Sequence, residues 1–241
     1  MSSFTTLGLS PALQKGVAEL GFETPTPVQE KVIPLLIKGQ RDLVALAQTG
    51  TGKTAAFGLP LLHLTDPDKP HIQALVLAPT RELCVQIAKD LADFGRFAPH
   101  LRVLPVYGGA PIQTQIRSLH RGVHILVATP GRLNDLMRRG SVKLDQVQRV
   151  VLDEADEMLN MGFQEELESI LKDVPDQART LLFSATMPKQ VAAIAGNYMK
   201  DPEEIILGTR NAVATKVTHE CYTVHARDRY QALKRIIDAR P

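Results

Sequence analysis

The sequence predicts an α/β protein built on one open parallel sheet, in three layers with helices on both faces. Three observations carry that expectation. Six short apolar runs recur: "DLVALA" (42–47), "QALVLA" (73–78), "RVLPVY" (102–107), "HILVAT" (124–129), "RVVLDE" (149–154) and "TLLFSAT" (180–186). Each is apolar along its length instead of alternating, as a strand reads when both its faces are covered. The segments between them carry helix signals and leave room for the crossovers that parallel strands require.

Taken in order, Ser10 followed by Pro11 opens the first helix, "ALQKGVAEL", with a cap residue and a proline in the first turn. Thr26 and Pro27 open the second in the same way; it carries Pro34, expected to kink it, and stops at Gly39. The first strand runs into a glycine-rich loop and an "AAFGLPLL" helix, and Thr80 caps "RELCVQIAKDLADF" after the second. After Ile206 the pattern weakens into "LGTRNAVATKV", read as a linker over 208–217. Beyond it, "THECYTVHA" and "RDRYQALKRIIDARP" are expected to form one strand and one helix, too little for a separate core. The division is therefore a main domain at 1–207, a linker at 208–217 and the start of a second domain at 218–241.

The chain has 241 residues, 44% hydrophobic and 22% charged, the composition of an ordinary globular chain. No stretch reaches the roughly 20 uninterrupted apolar residues of a membrane span, and the first ten residues lack a basic segment followed by an apolar one. A cytoplasmic location without a membrane partner is expected. Cys84 and Cys221 fit no metal-ligand spacing, so they are expected as buried free thiols with no disulfide-linked partner. A formal net charge of +2 neither demands nor excludes nucleic acid.

Within the loop after the first strand, Ala47 to Thr54, "AQTGTGKT", fits the phosphate-loop pattern, with alanine at the usual first glycine. Gly50 and Gly52 let successive N–H groups turn inward at a helix N-terminus. Lys53 supplies a cation for the β- and γ-phosphates, and Thr54 a magnesium ligand.

The fifth run ends in "DEADE", four carboxylates (Asp153, Glu154, Asp156, Glu157) within five positions. Asp153 closes a strand at the sheet's carboxyl edge, where open α/β folds place ligands, and a nucleotide-bound Mg²⁺ there would offset the repulsion. Glu154 is placed to orient or deprotonate an attacking water. Glu157 and in part Asp156 suit the first turn of a helix, whose dipole favours acids.

These residues resemble a family. Asp153-Glu154-Ala155-Asp156 spells the name of the DEAD-box RNA helicases, and other family words follow in register: "GFETPTPVQ" (21–29) resembles the Q motif, "AQTGTGKT" motif I, "PTREL" (79–83) motif Ia, "TPGR" (129–132) motif Ib and "SAT" (184–186) motif III. The resemblance covers about residues 4–207, the family's amino-terminal RecA-like lobe of the P-loop NTPase class. It implies ATP and Mg²⁺ as cofactors and RNA as partner. It also implies that Gln29 pairs with the adenine edge, consistent with an amide that both donates and accepts, and that Phe4 stacks on the base. Phe22, Gln48, Thr49, Gly50, Thr51, Gly52, Lys53 and Thr54 complete the nucleotide set, with Lys53, Asp153 and Glu154 catalytic and Thr54 and Asp153 on the metal.

By the same resemblance, loops at strand ends face the RNA backbone: Thr80 and Arg81, Gly108 and Gly109, and Thr129, Gly131 and Arg132. Arginines, hydroxyls and helix-start N–H groups hold phosphates without reading sequence. Ser184 and Thr186 would reach Asp156 and couple nucleotide state to RNA grip. The second lobe, with the arginine that faces the γ-phosphate, would begin near Thr218. An ATP-dependent RNA helicase, represented by its ATP-binding lobe, is the expectation. A DNA helicase or translocase sharing this lobe and a nucleotide-gated RNA clamp with little hydrolysis are the alternatives; "GFETPTPVQ" and the intact Lys53, Asp153 and Glu154 weigh against them.

Overall fold

The computed structural model describes residues 3–98, 100–207 and 220–239, which fall into two compact units divided between Asn211 and Ala212. In the first unit seven parallel strands form one sheet: β1 (Leu43–Leu46), β2 (Ala74–Leu77), β3 (Val103–Val106), β4 (Ile125–Ala128), β5 (Arg149–Leu152), β6 (Arg179–Ser184) and β7 (Glu203–Ile206). Their order across the sheet is β3-β4-β2-β5-β6-β1-β7.

The apolar runs work as double-sided strands. In β1, Leu43 and Ala45 join one core layer while Val44 and Leu46 join the other; in β2, Ala74 and Val76 divide from Leu75 and Leu77 in the same way. One layer is completed by α1 (Pro11–Glu19), α2 (Pro27–Lys38), α3 (Lys53–Leu64) and α4 (Arg81–Phe94). The other layer receives α6 (Pro130–Arg138), α7 (Ala155–Asn160), α8 (Gln164–Lys172) and α9 (Lys189–Tyr198), with α5 (Ile112–His120) packing partly buried side chains against it. Ser10 and Thr80 stand at the N-caps of α1 and α4; Thr80 Oγ1 accepts from the N–H of Leu83 at 3.2 Å, whereas Ser10 makes no side-chain cap hydrogen bond, and α2 ends at Gly39. Pro34 lies inside one continuous α2. The carboxyl end of that helix is held by the Arg179 guanidinium, which donates to the carbonyls of Leu35, Leu36 and Gly39.

β7 is the strand the sequence pattern did not reveal. As an edge strand paired only with β1, it carries Glu203 and Glu204, and so lacks the apolar run that marked the other six. At the opposite edge β3 accommodates Pro105 because an edge position can lack an N–H.

In the second unit a 3-10 turn (Ala226–Asp228) leads into α10 (Arg229–Asp238). The strand expected from "THECYTVHA" is absent from residues 220–225, which have no regular structure. Among the described residues of that unit there is no other strand with which to form a ladder. The 208–217 linker lies outside the described residues. Cys84 is buried and its thiol is pushed up to about 12 by burial, whereas Cys221, expected to be buried, is exposed, and among the described residues of its unit none is buried. Among the described residues no helix is long and apolar enough to cross a membrane.

Candidate functional site

The phosphate-loop sequence occupies the turn between β1 and α3. Gly50 and Gly52 adopt φ of 76° and 89°, and Gly52 caps α3 in the left-handed conformation. Gly52 is required twice over, because a Cβ there would stand 2.5 Å from Gln29 Nε2. Immediately after it, Lys53 is buried to 6% exposure and its Nζ has no hydrogen-bond partner. A buried ammonium without a partner is costly, and it lines a cavity of about 440 Å³ shared with Phe22, Gln29, Thr54, Asp153 and Glu154. Thr49, Gly50 and Gly52 line the same cavity. Gln48 and Thr51 are not among its described lining residues; Thr51 Oγ1 instead donates to the Gln48 carbonyl at 2.8 Å and stiffens the loop.

The four crowded carboxylates are separated by their environments. Asp153, at the end of β5, is 3% exposed, and burial raises it to about 6, opposed by Lys53 and reinforced by Glu154. Its Oδ1 accepts from the Glu154 N–H at 3.1 Å. Glu154 has φ 53° and ψ 51°, a left-handed residue that turns the chain from β5 into α7 within one step. Asp156 points to β6: its Oδ2 accepts from Thr186 N at 2.9 Å and Thr186 Oγ1 at 2.7 Å, while its own N–H donates to Ser184 Oγ at 3.3 Å. Burial pushes the Asp156 carboxyl up, but these hydrogen bonds together hold it below the usual carboxylate range. Glu157 is exposed in the first turn of α7.

Gln29 joins the cavity to α2. Its Oε1 accepts from Thr26 N at 2.9 Å and its Nε2 donates to the Gly52 carbonyl at 3.2 Å, leaving one acceptor lone pair and one donor hydrogen for a ligand. The aromatic expectation needs correction. Phe4 is buried to 4% and is not among the cavity's described lining residues; Phe22, 39% exposed, presents its ring there, with Phe4 packed against it at 6.3 Å between centroids. An N-terminal aromatic is drawn into the core, so the ring it supports does the facing.

The sequence reading also missed the cavity's far wall. Leu83, Asp90, Asp93 and Phe94 on α4 close it. Burial raises Asp90 despite a hydrogen bond from Gln86, and neighbouring Asp93 adds to the rise. Nothing in the helical pattern distinguishes those two acids from a solvated face.

The three remaining loops follow β2, β4 and β3, which are adjacent in the sheet. Arg81 is exposed, with its guanidinium 5.0 Å from the Tyr107 ring centroid, and Gly108 and Gly109 are exposed. One expected phosphate contact already has partners within the fold. Arg132 donates to the Ala110 carbonyl and to Gln115 Oε1, engaging three of its five N–H donors. Thr129 is buried at the start of α6, so exposed Gly131 is what that turn offers to the surface. A separate groove of about 460 Å³ lies beside α9 and β7, but among the described residues that line it Glu204 is the only charged one and none matches the phosphate cradle's donor set.

A model of the DEAD/DEAH box helicase family matches residues 26–194. The ATP-dependent RNA helicase CshA of Listeria monocytogenes is 47% identical over 238 residues, covering 99% of this chain and 45% of that protein. The protein of the same name from Limosilactobacillus reuteri is 48% identical over 237 residues, covering 98% of this chain and 47% of its own length. A DEAD box protein from the hyperthermophile Methanococcus jannaschii superposes with a TM-score of 0.82 at 39% identity, over 98% of this chain and 63% of that one. The chain thus spans about half the length of the curated relatives it matches.

Proposed function

The chain belongs to the DEAD/DEAH box helicase family, and from that premise we propose that it is the ATP-binding lobe of an ATP-dependent RNA helicase. One observation carries the reading: the buried Lys53 ammonium, without a hydrogen-bond partner, opens onto a glycine cradle that also holds Asp153. A polyphosphate supplies the anionic oxygens that such a cation lacks. The relatives named as RNA helicases support RNA as the partner.

In this reading Gln29 takes the adenine edge and Phe22 faces the base. Lys53 and the loop N–H groups hold the β- and γ-phosphates. Thr54 and Asp153 would hold Mg²⁺, which would neutralise phosphate charge. Glu154 orients the attacking water and accepts its proton, because phosphoryl transfer asks for little beyond positioning and charge neutralisation. The Asp156–Thr186 contact links the carboxylate segment to the end of β6 and so connects nucleotide state to RNA grip. Residues 1–207 form the lobe, 208–217 a linker and 218–241 the start of a second lobe, which supplies the arginine that meets the γ-phosphate.

The test compares ATP turnover, with and without RNA, for this 241-residue chain and for the protein with both lobes. RNA-stimulated turnover is expected only with both, since an arginine finger is worth about 10³ to 10⁵ in rate. Robust RNA-stimulated hydrolysis by the short chain would sink the two-lobe mechanism, and absence of stimulation with both lobes would sink the RNA reading.

A further inference from the structure

Residues 94–134 contain no aspartate, glutamate or lysine, but hold five arginines and three histidines. Those five charges exceed the formal net charge of +2 for the whole chain, so the remainder is net acidic. The middle of the run forms β3, α5 and β4, at the sheet edge that begins the strand order, whereas Arg96 pairs with Glu19 on α1 and Arg132 is held on α6. On α5, Gln113, Thr114, Arg117 and His120 are exposed, followed by exposed Arg121 at its carboxyl cap. With helical spacing these positions share one outward face. Arg102, exposed just before β3, is adjacent: a Cβ on Gly122 would lie 2.8 Å from its Nη2.

Helix polarity favours cations at the end of α5, but it explains neither Arg102 nor the lack of acids in the neighbouring segments. Other charged helix faces mix signs or pair internally, as Arg139 does with Asp135 on α6. Among the described residues no ion pair involves Arg102, Arg117 or Arg121. The inward side of α5 is anchored to the loops assigned to the RNA track: Gln115 Nε2 donates to the Tyr107 carbonyl at 3.1 Å and Gln115 Oε1 accepts from Arg132 at 3.0 Å.

We infer that the outer face of α5, with Arg102, Arg117 and Arg121, is an extension of the track that holds the phosphate backbone of RNA flanking the segment bound at the sheet's carboxyl edge. The inference rests on the RNA-helicase reading. A nine-residue helix is about 14 Å long, enough to follow several phosphates away from the loops. Arginine side chains on a rigid helix hold a backbone through charge and N–H donors without selecting bases.

The test is a triple substitution, Arg102→Gln, Arg117→Gln and Arg121→Gln, in the intact protein. Glutamine is chosen because an acid at the end of α5 would oppose the helix dipole. Binding in the presence of an ATP analogue is measured for a single-stranded RNA of about six nucleotides and for the same RNA extended by a duplex on either side. Affinity for the extended RNA should fall about tenfold, with its salt dependence reduced by about two to three ions. Binding of the short RNA and of ADP should stay within about twofold of the unsubstituted protein, the range left by removing exposed charges remote from both sites. Unchanged affinity for extended RNA overturns the proposal, as does an equal loss on both RNAs, which would put these arginines in the primary track. If the unsubstituted protein binds neither RNA, the RNA reading fails and this inference with it.

Discussion

The carboxyl edge of the sheet has two halves that handle charge in opposite ways. At β5, β6 and β1, charged groups are buried: Lys53 lacks a hydrogen-bond partner and Asp153 is pushed up to about 6 by burial. At β3, β4 and β2, Arg81 lies in solvent over Tyr107, while Arg132 is spent on Ala110 and Gln115. The first half stores electrostatic work until a ligand arrives; the second spends its polar groups on holding a surface in shape. A small, highly charged ligand justifies buried charge, whereas an extended backbone needs only a fixed rail with modest charges along it.

The comparison breaks first if Glu154 after β5 and Lys53 after β1 are interchangeable. Glu154→Gln in the protein with both lobes should lower hydrolysis about 10²- to 10⁴-fold, the usual worth of a general base, with nucleotide affinity nearly intact. Lys53→Ala should lose nucleotide instead, because a charge-assisted contact is removed. Equal loss of binding in both variants, read by calorimetry, would mean that the separate roles are wrong.

Next in size is base selectivity. Gln29→Ala should narrow the preference for ADP over GDP by about 10- to 100-fold, since guanine presents an acceptor where adenine presents a donor. A variant that keeps the original margin removes Gln29 from recognition.

Stability then separates the halves. Because the folded-state pKa of Asp153 is raised, the ligand-free protein gains stability from this group as pH falls from about 6 towards the ordinary carboxylate value of 3.8. Asp156 is lowered, so its contribution is present above the ordinary value and is lost as pH falls through the depressed one. Asp153→Asn should therefore stabilise the ligand-free protein at neutral pH by about 1–3 kcal/mol and remove the part of nucleotide affinity that depends on Mg²⁺. A thermal melt showing lower stability for this variant would contradict stored work at that position.

The smallest effects lie on the rail. Arg132→Ala should cost about 1–2 kcal/mol of stability, by leaving Gln115 Oε1 and the Ala110 carbonyl short of a donor. Arg81→Ala should leave stability within about 0.5 kcal/mol and reduce the salt dependence of RNA binding by about one ion. Reversed outcomes in denaturant titration would exchange the two roles.

Much of this was legible in the chain because buried strands leave continuous apolar runs and the phosphate cradle needs glycines at fixed spacing. β7 escaped because an edge strand can carry Glu203 and Glu204 without burying them. Phe4 and Phe22 were both named, but their division of labour depends on which ring the core absorbs. Arg132 carries the same charge as Arg81; only the packing of α5 gives it a carbonyl and an amide to hold. Asp90 and Asp93 became part of the cavity through the approach of α4, a tertiary event with no local signature.

Glu154 sits in a backbone conformation that disfavours most side chains, at a cost of about 1–2 kcal/mol that asparagine would largely avoid. A population selected only for heat resistance should therefore drift towards asparagine at this position and surrender turnover as it does so. Thermostability and activity pull against each other at a single residue, and an acid that persists there under such selection measures how strongly the organism needs the chemistry.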